Sequence, residues 1–435
     1  MKAKQVTVYP ADAGEREVAK DYRFSKLYML MKPLLTIMKL GGVFYENSEI
    51  SSQVKSNFGK YYCIAIFIFD ILNTLRLTSC FWVGSPDYDF AVKVVMYAML
   101  LQLPCYDFVF LRMSRKGTVL TFIEDWDGLQ NYKKEYSPVF DYRGALRRGR
   151  NILLAFAIIE GVCVIGGAVG VVFFPVMLDF YSPFLAPLSK DFAGANVLLS
   201  IWTLLNIFSI VKQVSVVTLL GLLAYTIYRE LYIFLKHFKD AISTSGEFTG
   251  NFEMFRLWHT KICDLVLTLD DILGGPIFIL YATVIPGMCV VIYALMNGTL
   301  MAFTVINLIL FMSVALAFMI FCLAVGIIWI NHPAHLPLEY AYRIDMSRVS
   351  QEVANQINVF IGRMNGPSIG LTAMDLFTLD KPMVLTLFGT MVTYSVIVFQ
   401  MTPLPTDKGC NLLLNDTLVE MFRNGTLLVC KQLNV

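Results

Sequence analysis

The sequence predicts an all-α membrane protein with seven transmembrane helices, its N-terminus cytoplasmic, its C-terminus extracellular, and long helices extending into the cytoplasm. Three observations carry this prediction. Hydrophobic residues make up 57% of the 435 positions and charged residues 16%, against roughly 45–50% and about 25% in soluble domains. Seven apolar stretches approach or exceed the ~20 residues that a helix needs to cross the hydrocarbon core. Of the 35 Lys and Arg residues, 28 fall in segments that this orientation places inside and four in segments outside, the bias of cytoplasmic loops. A formal net charge of +2 gives no reason to expect a nucleic-acid partner; the lipid bilayer is the expected surrounding.

Residues 1–60 are expected to form a cytosolic N-terminal segment. It opens on a polar stretch without an apolar h-region, so no cleavable signal peptide is expected. Within it, Lys26–Leu40 carries apolar residues at helical spacing, with Lys26, Lys32 and Lys39 between them. This predicts an amphipathic helix at the inner membrane face, interrupted by Pro33. Residues 61–330 hold six spans: Tyr61–Trp82, Ala91–Leu111, Ile152–Leu178, Leu198–Tyr228, Gly274–Met296 and Leu300–Ile330. The fourth and sixth exceed the bilayer thickness and must tilt or project from it. The basic, aromatic stretch 112–151 reads as a loop. Arg229–Asp240 reads as a helical extension, Asn251–Leu273 as a helix leading into the fifth span, and 336–363 as one cytosolic helix. The segment 331–382 is a cytosolic anchor, 383–401 the last span, and 402–435 an extracellular tail.

Charged groups inside spans are costly and are candidates for function by default. Asp70, Arg76, Asp107, Glu160 and Lys212 qualify. Glu160 and Lys212 stand in consecutive antiparallel spans and are expected to form a structural ion pair. The outer halves of the middle spans offer Trp202, Asn206, Tyr293, Thr304 and Asn307 as ligand-pocket candidates. An aromatic platform with amide and hydroxyl groups suits a small polar or amphipathic ligand. Interfacial anchoring and helix packing would use the same residue types. Pro286 with Gly287 predicts a kink in the fifth span.

The sequons at Asn297, Asn415 and Asn424 all fall on the predicted outside, and Asn415 and Asn424 are the expected glycosylation sites. Cys410 and Cys430 bracket the polar tail and could pair as a disulfide if that tail is extracellular. The other seven cysteines read as buried thiols. His332 and His335 read as part of a solvated loop rather than a metal site, and no metal or cofactor is expected. Neither a nucleophile–base spacing nor an HExxH or paired-carboxylate motif is present, so the sequence gives no support for an enzyme.

The last span is the most specific segment. On a helix, Thr386, Thr390, Thr393, Ile397 and Gln400 fall on one stripe, spaced four, three, four and three residues apart. Such a stripe serves helix packing, because Thr bonds back to its own helix, or it lines a conduit in which Gln400 gives a polar ring and Ile397 an apolar constriction. Tyr394 points away from this stripe, toward neighbouring helices. Asp380 ahead of Pro382 is placed to cap the helix.

Thr393-Tyr394, five residues, then Gln400 resembles the final-span motif of the insect gustatory receptor family. Met401 stands where that family usually has Phe. The approach Phe377-Thr378-Leu379-Asp380, and Lys32-Pro33-Leu34-Leu35 with Lys39-Leu40-Gly41-Gly42, are similar to further family motifs. The resemblance implies a plasma-membrane chemoreceptor of sensory neurons, a homo- or heterotetramer forming a ligand-gated, non-selective cation channel. It implies that the last helix lines the pore, that the other six spans bind a small molecule, and that cytosolic helices anchor the subunits. A secondary transporter and a metabotropic seven-helix receptor are the alternatives. The first would show helices broken at the midplane; the second would have its N-terminus outside.

Overall fold

The computed structural model describes residues 25–46, 57–82, 90–133, 194–205, 207–296, 316–366 and 368–401, with scattered positions between 144 and 188. The regular structure among them is helical. The extended contacts are two isolated bridges, Ile242 with Phe248 and Thr372 with Thr378. Ten α-helices longer than one turn are described from end to end: α1 (Lys26–Leu40), α2 (Phe58–Leu77), α3 (Phe90–Lys116), α4 (Thr118–Lys133), α5 (Ala195–Leu205), α6 (Ile207–Asp240), α7 (Phe252–Met296), α8 (His332–Ala341), α9 (Gln351–Met364) and α10 (Lys381–Met401). A short helical turn, Ser79–Trp82, follows α2.

Helix α1 forms over the expected residues, but it runs unbroken through Pro33, where the sequence predicts an interruption. The Ser25 hydroxyl accepts from the backbone N–H groups of Leu27 and Tyr28, capping the first turn. Its Leu27, Tyr28, Met31, Leu34, Leu35 and Met38 are buried. That stripe packs against α6, so protein covers the apolar face and the lysines stay on the other side. Lys39 reaches Glu46 at 2.8 Å and closes the turn that follows.

Four described segments are long and apolar enough to cross a bilayer: Phe58–Leu77, Val217–Asp240, Phe252–Ile292 and Leu316–Ala341. Helix α7 has 45 residues, about 68 Å at 1.5 Å per residue, roughly twice the hydrocarbon thickness. Its first half carries Glu253, Arg256, Lys261, Asp264, Asp270 and Asp271 and so belongs outside the lipid. The expected helix Asn251–Leu273 and the fifth span are thus one continuous rod, unbroken by Pro276 or Pro286.

The first half of α7, the end of α6, α4, α8 and α9 close around a basal core. Phe234 and Phe238 of α6 meet Phe248, and Phe252, Phe255, Trp258 and His259 of α7, and Phe360 of α9 completes the cluster. Edge-to-face contacts dominate, with ring centres 5.2–6.1 Å apart in these pairs, the arrangement aromatic quadrupoles favour.

Three sequence expectations change here. The supposed loop 112–151 is helical through Lys133: α3 runs to Lys116, turns at Gly117, and α4 buries Phe122, Ile123 and Trp126. The single helix expected over 336–363 is broken. The Asp345 side chain accepts from Ser347 N–H to start a short 3-10 turn, and the Ser350 hydroxyl caps α9 through Val353 N–H. His332 and His335 lie on α8, not in a solvated loop, and His335 Nε2 accepts from Ile369 N–H at 3.2 Å. Ahead of them the apolar helix widens into a π-helix, Val325–Asn331, just before Pro333 and Pro337 withhold two N–H donors.

Candidate functional site: the last helix and its mounting

Helix α10 starts where the sequence places it. Asp380 Oδ1 accepts from Met383 N–H at 3.0 Å, capping the helix with Pro382 in its first turn. Within the described chain α10 packs mainly on α7, through buried Leu387 and half-buried Met383 and Met391. The rest is open: Leu385 is 75% exposed, Phe388 66%, Tyr394 50% and Ile397 42%. Thr386, Thr393 and Gln400 are exposed and Thr390 half-buried. The threonine hydroxyls donate to Pro382, Thr386 and Gly389 carbonyls at 3.2, 2.8 and 2.8 Å. Each hydroxyl is therefore satisfied by its own helix, and its oxygen retains a lone pair toward the open face.

A compact turn mounts α10 on the rest of the chain. Leu379 N–H donates to Leu371 C=O at 2.8 Å and Ala373 N–H to Phe377 C=O at 3.0 Å, forming a miniature hairpin. At its tip Leu376 N–H donates to Ala373 C=O, across Met374 (φ 54°) and Asp375 (φ 60°). Left-handed backbone at a Met costs roughly 1–2 kcal/mol, so surrounding contacts must hold it. Asp270 of α7 receives the Thr372 N–H at 2.5 Å and the Thr372 hydroxyl at 2.8 Å. Thr372 Oγ1 in turn accepts from Asp375 N–H at 3.1 Å. Two glycines make room. A Cβ on Gly274 would lie 3.3 Å from Thr372 O, and one on Gly326 of the π-helix 2.8 Å from Leu379 Cβ. Tyr281 of α7 meets Phe377 edge-on at 5.8 Å, and Asn331 Nδ2 donates to Ser368 Oγ and Ile369 O. Burial pushes the Asp270 carboxyl up to about 6 against the pull of its two Thr372 hydrogen bonds, and the nearby carboxylates Asp375 and Asp271 add to the rise.

Lys212 of α6 is fully buried and ion-paired with Asp70 of α2 and with Asp107 of α3, the latter at 2.8 Å. The partners described for Lys212 are thus these two aspartates. Glu160, the expected partner, lies outside the described residues. A second buried pair, which the sequence reading did not anticipate, sits in the basal core. Lys133 Nζ is 2.6 Å from Glu230 Oε2, Gln130 donates to Glu230 Oε1 at 3.0 Å, and the lysine lies over the Trp258 ring.

Of the ligand-pocket candidates, Trp202 lies half-buried on α5. Tyr293 lies on α7 with its side chain outside the described residues; Asn206, Thr304 and Asn307 lie outside them altogether, as do Asn297, Asn415, Asn424, Cys410 and Cys430. Among the described residues no group of three or more His, Cys, Asp or Glu could hold a metal ion.

Bilayer-length helices on a helical basal core, with the last described helix exposed, define a multi-helix membrane-protein architecture. The model of the 7tm chemosensory receptor family matches residues 31–403, and the chain belongs to that family, which comprises the insect gustatory and olfactory receptors. Two solved structures share the fold. The insect olfactory receptor OR5 from Machilis hrabei matches with TM-score 0.59 at 16% identity. The same receptor in complex with eugenol matches with TM-score 0.57 at 17% identity. Each covers 86% of this chain and 98% of the receptor chain. No curated protein matches the chain.

Proposed function

We propose that this chain is a gustatory-receptor-like chemoreceptor that works as a ligand-gated, non-selective cation channel, assembled as a tetramer with itself or with related receptors. The single observation that carries this reading is the exposure of α10. Among the described residues, this capped helix of 21 residues leaves Thr386, Thr393, Ile397 and Gln400 of its stripe exposed and Thr390 half-buried. Several copies of that stripe around an axis would present Thr oxygens, an Ile397 constriction and a ring of Gln400 amides to permeant cations. Without an Asp or Glu in the helix, strong divalent selectivity is not expected. The N-terminus and basal core lie in the cytoplasm in this reading and the 402–435 tail outside, as the Lys and Arg bias supports. A similar fold has been solved with eugenol bound, which supports a small organic ligand held among the other spans, with Trp202 and Tyr293 as aromatic walls.

The test is cysteine accessibility. Cells expressing the chain are recorded against a panel of sugars, bitter compounds and volatile phenols. Cysteines are then placed at Thr390, Thr393, Ile397 and, off the stripe, Leu385. A charged methanethiosulfonate should block the evoked current at the first three and spare Leu385→Cys. Evoked currents indifferent to modification all along the stripe would show that the ions pass elsewhere.

A further inference from the structure

We infer that the 371–379 turn couples α7 to the pore helix and that Asp270 is the positioning residue that latches it; this rests on the pore reading of α10. The geometry is specific. The turn leads directly into the Asp380 cap of α10, with one residue, Leu379, wedged against Gly326 of the π-helix. It meets α7 at three successive levels: Asp270 on Thr372, Gly274 under the Thr372–Met374 backbone, and Tyr281 on Phe377. Those levels are four and seven residues apart, one face of one helix. Met374 and Asp375 are both left-handed and neither is glycine, so the turn needs outside support to keep its shape. Asp270 supplies that support. Its carboxylate takes the backbone N–H and the hydroxyl of Thr372, and that hydroxyl takes the N–H of Asp375, one of the two strained residues. The chain of bonds therefore runs from α7 through one carboxylate to the tip of the turn, while the turn's other end is the start of α10. A movement of α7 along or about its axis then reaches α10 through a rigid piece rather than through a slack loop. The charged groups acting on Asp270, namely Asp271 on its own helix and Asp375 on the turn, are both acidic. No cation substitutes for the Thr372 bonds among these described partners.

Hydrogen exchange on the full-length protein in lipid nanodiscs tests this without knowledge of the ligand. Peptides covering 371–380 and the first turns of α10 are followed by mass spectrometry. Asp270→Ala should speed exchange at least tenfold in the turn and several-fold in residues 383–387. Asp270→Asn, which keeps an acceptor for Thr372 N–H, should restore most of the protection. Asp271→Asn, one position along on the exposed side, should change neither peptide. Should Asp270→Ala not yield folded protein, Thr372→Val removes both bonds of the hydroxyl, to Asp270 and from Asp375 N–H, keeps the Thr372 N–H bond, and should give the same pattern. Faster exchange in the turn with α10 unaltered would overturn the coupling, and no change in either peptide would overturn the latch. The outcome is separable from the channel reading. Expected exchange in a chain whose stripe carries no current would leave the latch standing and remove the pore, and the converse result would do the reverse.

Discussion

The basal core and α10 end in opposite conditions. In the core, Phe234, Phe238, Trp258 and Phe360 are at most 2% exposed, and the charges it encloses, Lys133 and Glu230, are paired with each other. Among the described side chains of α10, one, Leu387, is buried, and the large apolar side chains at 385, 388, 394 and 397 stand open. One region is closed by the described helices; the other is left open by them. The more apolar of the two is the one left open: α10 has no Asp or Glu, whereas α4, α9 and the first half of α7 each carry charges of both signs. What separates them is whether other described segments close over the apolar face.

Four experiments sharpen or break that comparison, from the largest effect to the smallest. Lys212→Met leaves Asp70 and Asp107 in the bundle without their cation. It should cost about 3–5 kcal/mol and remove most folded protein from the membrane, whereas Asp107→Asn, which keeps one carboxylate for the lysine, should be far milder. Detergent-resistant yield by fluorescence-detected size exclusion measures both. Phe238→Ala should cost at least about 3 kcal/mol by opening a cavity among five neighbouring rings, read as a fall in melting temperature. If that variant melts like the wild type, the core is not what holds the chain together.

The third concerns acid. Burial holds the His259 imidazole down to about 4, helped by Arg363 and His335 and opposed by its bond to Ala334 O. A depressed histidine is neutral in the fold, while the unfolded chain takes up a proton near pH 6.5. Its stabilisation is therefore complete above about pH 6.5 and is lost as pH falls toward 4. His259→Gln should flatten that part of the melting-temperature profile, and an unchanged profile would place the acid sensitivity elsewhere. The smallest effect is expected on the open face of α10. Thr393→Val and Ile397→Ala should move the melting temperature of the chain by no more than the equivalent of about 0.5 kcal/mol, although the pore reading proposed above has the same changes alter conduction. A loss like that of Phe238→Ala would mean that α10 is held by its own chain after all.

Much of this was legible in the sequence, for identifiable reasons. The α10 stripe and the Asp380 cap are local patterns, readable from spacing alone. The α1 stripe was equally clear, but spacing cannot tell whether protein or lipid covers an apolar face, and here α6 covers it. Lys212 was visible as a buried charge, as were Asp70 and Asp107. Its described partners come from α2 and α3 rather than from the preceding span, because helices adjacent in space need not be adjacent in sequence. Lys133 and Glu230 gave no signal: Lys133 stands beside Lys134 and Glu135 in a stretch that reads as a loop, and Glu230 beside Arg229 in a helical extension. Asp270 was likewise hidden beside Asp271. Its one hint was position: an acidic residue one turn ahead of Gly274 and Gly275, where the apolar stretch begins.

The unbroken length of α7 has a mechanical consequence. A rod of about 68 Å that tilts by one degree about its midpoint displaces each end by roughly 0.6 Å, comparable with the slack of a hydrogen bond. Residues near Met296 and residues near Phe252 therefore share one lever. A displacement of that size at one end is matched by an equal and opposite one at the other, enough to make or break a contact at either.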